Sequence, residues 1–544
     1  MVVSRRLASC LATLLLVGAV LVSTSTGAGA AGSTSSSADP GVGSAAALAN
    51  PNCDPATKRV KFPSTTAAPC VKSWKDGADN GGATAQGVTK DSVKVVMLYL
   101  DPLPANIQAQ KNVVNAATGQ AGSQTASILD TSKVYETVYE TWGRKPDFVF
   151  VQASGTDEAS QRADAVKIAA MKPFAVMQSY GAGGTAFEAA IVHKVPVLIG
   201  LANCCGFIPQ TELSRPVAEN AAEWIGKALV GGKAQWAGDD SLKSKPRVFG
   251  VVAPTGPAGI DPKIFASAFA KRGGKVAASV TYDSGTNLVM PPPESVDLAP
   301  SLIAKLKASG VTTVVDFADG LGMNPALTKA ATQQSYFPEW VVTGNGFHDL
   351  DLLARNADQQ QWAHAFGLLF FAPYVDVPKD QQTTPFQWYW GKNEGTTSGG
   401  ATSLMTNLYT GLQLAGPKLT AKSFEQGLVD RYPPSGGAFS GEITTLEQSW
   451  AKFGTAPARG SALGWWSPDT VGPSQVVTTV GPGKYMFLNG GKRYTGGKFP
   501  KGLPKFFDKS ASISVYESVP ASDVPPNYPC DNCPSAGKGP APSA

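Results

Sequence analysis

The chain alternates continuous apolar runs with stretches of helical spacing, and it completes this alternation twice. The first series has apolar runs at 93–100, 147–152, 174–178 and 195–201, separated by helix-like stretches at 127–142, 158–171 and 185–193. The second has a leading helix-like stretch at 219–230, then runs at 247–253, 275–282, 312–317 and 339–343 and helix-like stretches at 262–272, 299–308 and 325–334. Continuous apolar strands between helices are typical of parallel sheets covered on both faces. The sequence therefore predicts an α/β fold with two doubly wound parallel-sheet lobes.

Residues 1–30 have the pattern of a secretory signal peptide. Arg5 and Arg6 precede an apolar run at 11–22, and the small residues 28–30 follow it. The run is too short for a comfortable membrane span. Cys10 lies before the apolar run, whereas a lipid-attachment cysteine follows one. The sequence thus predicts export to the periplasm, the cell surface or the extracellular space, without lipid attachment.

The two ends of the chain differ in composition from the middle. Residues 31–50 are mostly Ser, Ala and Gly, and residues 51–86 are turn-rich, so 31–86 is predicted to be a flexible, Cys-bounded extension. Helices are predicted at 403–414 and 421–428, with short strands and turns beyond them. The Pro- and Ser-rich stretch 520–544 is predicted to be a disordered tail.

Six cysteines follow the predicted signal peptide, an even number that favours disulfides in an exported chain. Cys53 and Cys70 form the natural local pair. Cys530 and Cys533 are predicted to close a small loop, since the alternative of a redox motif lacks a βαβ setting. For Cys204 and Cys205 a vicinal bridge, pairing elsewhere and the reduced state all stay open.

A glycine-rich turn follows the apolar run 174–178. Its spacing, Gly181-x-Gly183-x-x-Ala186, matches a dinucleotide fingerprint, but the acid that should end the next strand is absent. No Gly-Lys-Ser/Thr follows, so the turn is not a phosphate loop. No cofactor is predicted. The turn suits a carboxylate or a polar uncharged group, and the alternative is a plain tight turn between strand and helix.

Signatures of catalysis and of nucleic-acid binding are scarce. His193, His348 and His364 are the three histidines and have no metal-ligand spacing. The net charge is +5, or +3 without Arg5 and Arg6, and basic residues form no long run, so nucleic acid is not a predicted partner. Asp316 and Asp319 end a predicted strand. They suit an acid and base pair, but hydrogen bonding to a ligand or to loop backbone is the favoured interpretation.

Several stretches resemble one family in order. Residues 87–95, Gly-Val-Thr-Lys-Asp-Ser-Val-Lys-Val, are similar to the opening of exported solute-binding proteins of the leucine/isoleucine/valine-binding type. Further similarity follows at 146–199, 302–315, 340–344 and 404–415. The resemblance covers roughly residues 87–430. It implies the type 1 periplasmic-binding fold, the substrate-capturing part of an ABC transporter.

The resemblance also implies two lobes joined by a hinge and closing on a small solute. Lobe one would comprise 87–207 plus about 374–455, and lobe two 208–373 plus about 456–519. The expected partners are a small-molecule solute and a membrane ABC permease, and the protein is expected to be a monomer without enzymatic activity. Carried over by position, the ligand-binding candidates are Tyr99, Asp101, Ser179, Tyr180, Gly181, Ala202, Asn203, Thr255, Asp316, Asp319 and Asn345.

One position departs from the family pattern. The amino-acid binders place an acidic residue after the strand that 340–344 resembles, whereas this chain has Asn345. The expected solute is therefore amino acid-like, or an aromatic or acidic metabolite. Two alternative functions stay open, a surface ligand sensor and a secreted hydrolase that uses Asp316 and Asp319.

Overall fold

The computed structural model divides the chain into two compact units, Met1–Ser37 and Ala38–Ala544, and the residues that the structure describes all belong to the second. They are 39–64, 67–75, 77–101, 124–179, 182–199, 215–256, 259–285, 291–371, 373–375, 384–392, 398–428, 450–451, 454–455, 460–475, 480–516 and 527–537. Among them, no helix combines the length and the apolar character that crossing a membrane requires.

The N-terminal segment is packed, whereas the sequence analysis expected it to be flexible. It contains α1 (Ala45–Leu48) and the antiparallel pair β1 (Cys53–Asp54) and β2 (Arg59–Val60). A disulfide joins Cys53 to Cys70, as predicted. Phe62 is 2% exposed, with its ring centroid 5.3 Å from that of Tyr139. Turns closed by a disulfide bury side chains without a periodic pattern, so sequence periodicity contains no sign of this packing.

A four-stranded parallel sheet follows, called here the first sheet. Its elements are β3 (Ser92–Tyr99), α2 (Gln124–Glu136), β4 (Lys145–Gln152), α3 (Glu158–Ala170), β5 (Ala175–Gln178), α4 (Thr185–Ile191) and β6 (Val197–Ile199). The strand order is β4-β3-β5-β6, with every pair parallel. Because β4 lies on one side of β3 and β5 on the other, the winding direction reverses between β3 and β5.

The chain then builds a second, larger sheet. Its parallel part contains α5 (Arg215–Ala228), α6 (Asp240–Lys243), β7 (Phe249–Thr255), α7 (Pro262–Ala270), β8 (Val276–Asp283), α8 (Pro293–Val296), α9 (Ala299–Ala308), β9 (Thr313–Asp316), α10 (Met323–Gln333), β10 (Glu339–Val342), α11 (Asp351–Ala354), α12 (Gln359–Trp362) and β11 (Ala365–Leu369). The strand order β8-β7-β9-β10-β11 repeats the order of the first sheet. Here the winding reverses between β7 and β9.

The C-terminal third of the chain contributes helices that pack on the first sheet and strands that extend the second. It contains β12 (Tyr374–Val375), α13 (Pro385–Trp390), α14 (Ser398–Ala415), α15 (Ala421–Gln426), β13 (Trp450–Ala451), β14 (Gly454–Thr455), β15 (Gly460–Pro473), β16 (Val480–Leu488), β17 (Arg493–Thr495), β18 (Ser512–Ile513) and β19 (Val515–Tyr516). Helices α13 to α15 share a hydrophobic core with the first sheet. Strands β15, β16 and β18 extend the second sheet beyond β11 in antiparallel fashion, and β17 pairs with β15.

The second sheet is covered on both faces. Along β10, Trp340 and Val342 belong to one hydrophobic core and Val341 belongs to another. All three side chains are 0% exposed. Side chains of a strand alternate between faces, so such a strand is apolar on both faces, and the one charged residue of β10, Glu339, is paired with Arg247. The predicted α/β class with parallel sheets is confirmed, whereas the predicted domain boundaries remain predictions.

The hairpin of β15 and β16 was missed. The sequence predicted short strands and turns there, but β15 runs over 14 residues and pairs with β16 through an irregularity between Ser467 and Val471. The aromatic pair Trp465 and Trp466 is buried in this hairpin. Repeated Gly and Pro made the strand resemble turns, although a register shift accommodates them.

Candidate functional site

The two points at which the winding reverses define the candidate site. In open α/β sheets, ligands bind outside the carboxyl ends of the strands at such a point. At the first sheet, Leu98 pairs with Gln178, so Tyr99 and Ser179 follow at the reversal. At the second, Val252 pairs with Asp316, and Thr255 ends the neighbouring strand. Four of the predicted residues therefore lie at the two places that the topology favours.

Ser179 is the candidate with an unused polar atom. Its backbone N–H donates to the carbonyl of Leu98 at 2.9 Å, which continues the ladder past the end of β5. Its Oγ is buried and has no hydrogen-bond partner among the described residues. A buried hydroxyl without a partner is unfavourable, and a bound ligand or water relieves that cost.

Tyr99 and Asp101 lie at the end of β3. Tyr99 is half-buried, and its ring centroid is 6.5 Å from that of Phe150. The Asp101 carbonyl accepts a hydrogen bond from the Gln152 side chain, and Asp101 itself is exposed. Tyr180, Gly181, Ala202, Asn203, Cys204 and Cys205 lie outside the described residues.

The glycine turn is held by its own side chains. Gly183 has φ 76°, and a Cβ there would lie 1.9 Å from Oε1 of Gln178, so glycine is required. The Gly184 N–H donates to that same Oε1 at 3.3 Å, and Gln178 Nε2 donates to Glu188 at 3.0 Å. Burial raises the pKa of Glu188. The Gly184 amide is thus engaged within the protein, which removes one donor from the anion cradle that the sequence suggested.

At the second sheet, Thr255 and Asp316 stabilise the loops around them. Thr255 Oγ1 donates to the Tyr282 carbonyl at 3.0 Å. Asp316 is 0% exposed and accepts from the Ala318 N–H and from Asn324 Nδ2, both at 2.8 Å. These contacts fit the interpretation that the acid organises loop backbone.

Asp319 holds the start of α10. Its carboxylate accepts from the N–H groups of Gly322 at 2.7 Å and Met323 at 3.1 Å. It also accepts from the Tyr282 hydroxyl at 3.0 Å. Burial is the main influence on this carboxyl and raises its pKa to about 6, against the lowering effect of those hydrogen bonds.

Asn345 links the loops after β9 and β10. It is 6% exposed, and its Nδ2 donates to the Phe317 carbonyl at 2.6 Å. Two further hydrogen bonds join the same loops: Thr343 Oγ1 to the Asp316 carbonyl at 2.7 Å and the Gly320 N–H to the Gly346 carbonyl at 2.9 Å. The structure therefore brings Asp316 and Asn345 together through hydrogen bonds between these loops, and the Asp319 backbone lies beside Gly346.

Sequence reasoning missed His348 and Asp349, which follow shortly after Asn345 in the chain. Both are 0% exposed. His348 Nε2 accepts from the Thr343 N–H at 3.3 Å, so in the neutral ring the proton is on Nδ1, which has no hydrogen-bond partner among the described residues. The signal that could have identified both residues is their position shortly after the strand at 339–342.

Asp349 is a buried acid with one satisfied oxygen. Its Oδ2 accepts from the N–H groups of Phe370 at 2.5 Å and Phe371 at 2.9 Å, while Oδ1 is unpartnered within the described chain. Burial raises its pKa to about 6, and the positive field of His348 opposes that rise. Nearby, Arg493 donates to the Phe370 carbonyl at 2.7 Å, and burial lowers the pKa of its guanidinium to about 10.

Within the described residues, no His, Cys, Asp and Glu side chains form a group of three or more suited to a metal ion.

No protein-family model and no curated protein matches the chain. Solved structures do match. A solute-binding protein of an ABC transporter from R. palustris, in complex with 4-hydroxybenzoate, aligns with TM-score 0.38 and 13% identity over 76% of this chain and 98% of its own. The leucine-, isoleucine-, valine-, threonine- and alanine-binding protein from Brucella ovis, in a closed conformation, aligns with TM-score 0.45 and 12% identity over 79% and 100%. A possible leucine/isoleucine/valine-binding protein from Rhodopirellula baltica aligns with TM-score 0.41 and 11% identity over 75% and 96%.

These matched structures are of the class that the sequence resembles, type 1 periplasmic binding proteins. Their likeness to this chain is weak in both sequence and superposition. The function of this protein is therefore inferred from the topology of its two sheets and from the contacts at their strand ends.

Proposed function

We propose that the protein is an exported solute-binding protein of an ABC importer, which captures a small polar organic solute reversibly between two closing lobes. The observation that carries this proposal is the repeated strand order. Both parallel sheets reverse their winding after the first strand, and polar side chains follow the strands at each reversal. Two crevices of this kind, one on each lobe, suit a ligand that touches both.

The path of the chain supports a hinge. It leaves the first sheet after β6, returns to the core of that sheet with α13, and rejoins the second sheet with β15. After β18 it returns once more to the core of the first sheet at Cys530, so the described residues imply four chain passages between the two lobes. In hinge closure around a ligand, a few residues in such connections absorb the change in backbone angles. A ligand then favours the closed form only through its higher affinity for that form.

The side chains at the reversals favour an uncharged polar contact. Ser179 Oγ is buried and has no partner among the described residues. Asn345 donates through Nδ2 to the Phe317 carbonyl and leaves Oδ1 as the amide atom for a ligand, at the position where the amino-acid binders have an acid. Asp316 and Asp319 already accept hydrogen bonds within the protein. We therefore infer a solute that is amino acid-like, or an aromatic or acidic metabolite, bound through hydroxyl and amide groups.

The same contacts argue for binding without catalysis. A glycosidase-type mechanism needs one carboxyl group free to protonate substrate and another free to act as base or nucleophile. Here Asp319 holds the start of α10 and Asp316 holds Ala318 and Asn324. The expected partners are the solute and a membrane permease, with a monomeric protein in the periplasm, on the cell surface or outside the cell, and without a role for nucleic acid.

A ligand screen tests the proposal. Thermal unfolding of the mature protein would be followed against amino acids, aromatic acids, sugars and sterol-like acids, and each hit would be measured by calorimetry. A binder gains about 2.7 kcal/mol of stability at a hundredfold excess of ligand over Kd. Ser179→Ala and Asn345→Ala are each expected to weaken binding at least tenfold. The exposed Ser241→Ala serves as the control and is expected to bind normally.

Other outcomes contradict the proposal in distinct ways. Conversion of a hit into product, abolished by Asp316→Asn and Asp319→Asn, would establish a hydrolase. Normal uptake of the solute by cells that lack this protein would favour a sensor. No thermal shift with any compound class would remove the support for import.

A further inference from the structure

A second feature of the larger sheet is a loop at 499–506, called here the basic arch. Its two ends are buried, with Phe499 at 3% and Phe506 at 5% exposure. The Phe506 ring centroid lies 5.2 Å from that of Trp236, and the Phe499 ring centroid lies 6.1 Å from that of Tyr494. Aromatic packing therefore anchors the loop at both ends.

Backbone contacts restrain the arch further. The Gly497 N–H donates to the Glu223 carboxylate at 2.7 Å, and the Gly502 N–H donates to the Lys227 carbonyl at 3.4 Å. Pro500 and Pro504 restrict the backbone on either side of the centre. The arch is thus a preorganised surface rather than a loose connection.

The arch lines a half-open cavity of about 300 Å³. Leu463 and Leu488, on β15 and β16, contribute buried apolar side chains at 1% and 3% exposure. This volume is at the lower end of the range for small-molecule sites, roughly 300–1,000 Å³. The cavity therefore suits a small apolar group.

The rim of the cavity is cationic. Lys501 and Lys505 line it and are exposed, and neither forms an ion pair within the described residues. None of the described residues that line the cavity is acidic. The nearby Asp508 carboxylate accepts from the N–H and Oγ of Ser510, at 3.0 and 2.6 Å, and these hydrogen bonds lower its pKa, with a smaller contribution from the charge of Lys505. Leu503, between the two lysines in sequence, is 43% exposed, so the rim also offers apolar surface.

The geometry points to a second binding site, for a small amphipathic anion. Its carboxylate or phosphate group would be held by Lys501 and Lys505, and its apolar part would contact Leu463, Leu488 and Leu503. Such a ligand has two sources, a free amphipathic anion in solution and an anionic lipid of a membrane. None of these residues follows β7, β9 or β10, so the site is separate from the one proposed for the solute.

Calorimetry on the mature protein tests whether the site binds a free amphipathic anion in solution. Octanoate is the anion used, and octanol is its uncharged counterpart. Octanoate is expected to bind and octanol to bind at least tenfold more weakly. Each exposed pair of a lysine with a carboxylate is expected to contribute about 1.5- to 5-fold, so Lys501→Gln with Lys505→Gln is expected to weaken octanoate binding about 2- to 25-fold. The matched control replaces two exposed lysines of the same lobe, Lys263→Gln with Lys271→Gln, and should leave octanoate affinity unchanged.

A second experiment, with lipid vesicles, tests whether the ligand is an anionic lipid of a membrane. Sedimentation with phosphatidylcholine vesicles, with and without one-third phosphatidylglycerol, is compared for the same variants. Binding only to the anionic vesicles, lost in the double variant, identifies a lipid. Binding only of octanoate identifies a free anion. Ala511→Phe, which fills the cavity from its lining, should weaken whichever ligand binds.

Two results would overturn the second site. One is absence of binding in both arms, and the other is binding that the double lysine variant and Ala511→Phe both leave intact. Thermal unfolding of each variant confirms that it is folded. Either result leaves the solute screen unaffected, because that screen depends on Ser179 and Asn345.

Discussion

Nδ1 of His348 lies 3.5 Å from Oδ2 of Asp316, and both side chains are buried. The other ring nitrogen accepts from the N–H of Thr343, so the imidazole lies between the last residue of β9 and the first residue after β10. The carboxyl edge of the second sheet is therefore organised by polar groups that contact one another. This arrangement holds Asn345 in place with little exposure to solvent.

His348→Leu is expected to destabilise the protein by about 1–3 kcal/mol, because the Thr343 N–H would be left buried without an acceptor. Urea unfolding followed by tryptophan fluorescence measures the change. The exposed His193→Leu is the control and is expected to change stability by less than about 0.5 kcal/mol. Equal effects of the two substitutions would show that the imidazole has no structural role.

The buried ion pair of Arg247 and Glu339 provides a second prediction. Arg247 donates twice to this carboxylate, at 2.8 and 2.9 Å, and both side chains are at most 1% exposed. Arg247→Met leaves a buried charge without its partner and is expected to cost about 3–5 kcal/mol of unfolding free energy.

A double-mutant cycle with Glu339→Gln measures the coupling, which should exceed about 1 kcal/mol. The control cycle uses Arg162 and Glu158, a pair of exposed residues 2.7 Å apart, where coupling below about 1 kcal/mol is expected. Additive effects at Arg247 and Glu339 would contradict the prediction.

The raised pKa of Asp319 predicts a pH dependence of stability. Burial raises it from 3.8 to about 6 in the folded protein, so the folded state keeps a proton that the unfolded chain has lost. Stability from this group is fully present below about pH 4 and is lost as the pH rises through about 6. Asp319→Asn does not titrate, so the stability of the wild type relative to this variant should fall by about 2 kcal/mol from pH 4 to 7.

Urea unfolding at pH 4, 5, 6 and 7 checks this difference. Asp469→Asn is the control, because the pKa of Asp469 is lowered in the folded protein, whereas that of Asp319 is raised. Hydrogen bonds from Lys509 and Ser467 lower the pKa of Asp469 to about 2, so its contribution is lost only as the pH falls below about 4. A wild-type and Asp319→Asn difference that is constant across this range would refute the prediction.

The glycine turn yields a fourth prediction. Gly183→Ala places a methyl group 1.9 Å from Gln178 Oε1 at φ 76°. The Gln178 side chain must therefore move, its bonds to Gly184 and Glu188 are lost, and the backbone is strained. A loss of at least about 2 kcal/mol is expected, together with weaker solute binding through Ser179. Gly231→Ala isolates the backbone effect, since Gly231 has φ 81° with nothing within 4 Å of an added Cβ. The control should cost about 1 kcal/mol.

The parallel part of the fold was predictable because its strands are buried on both faces. The prediction of a strand at 93–100 compares with 92–99 in the structure, and that of a helix at 299–308 is identical to the observed one. The hairpin of β15 and β16 was not predictable, because its glycines and prolines resemble turns. Burial of Phe62 depends on contacts with residues far along the chain, which local patterns do not contain.

The location of the candidate site was predictable, but the roles of its residues were not. The ends of the apolar runs identified Ser179 and Asp319. The Asp319 carboxylate accepts hydrogen bonds from Tyr282 and from the start of α10. Sequence spacing does not predict these contacts, because they depend on how the folded chain brings the two groups close to Asp319. His348 was overlooked because a single histidine has no spacing to interpret.

The interleaved path of the chain has a consequence for biogenesis. Helices that cover the first sheet are synthesised after the parallel strands of the second, and the antiparallel edge of the second is synthesised later still. A growing chain therefore has no stopping point at which either half is complete. Any truncation before residue 460 would leave the flank of β11 without its neighbouring strand, so proteolytic fragments of this protein should be short-lived.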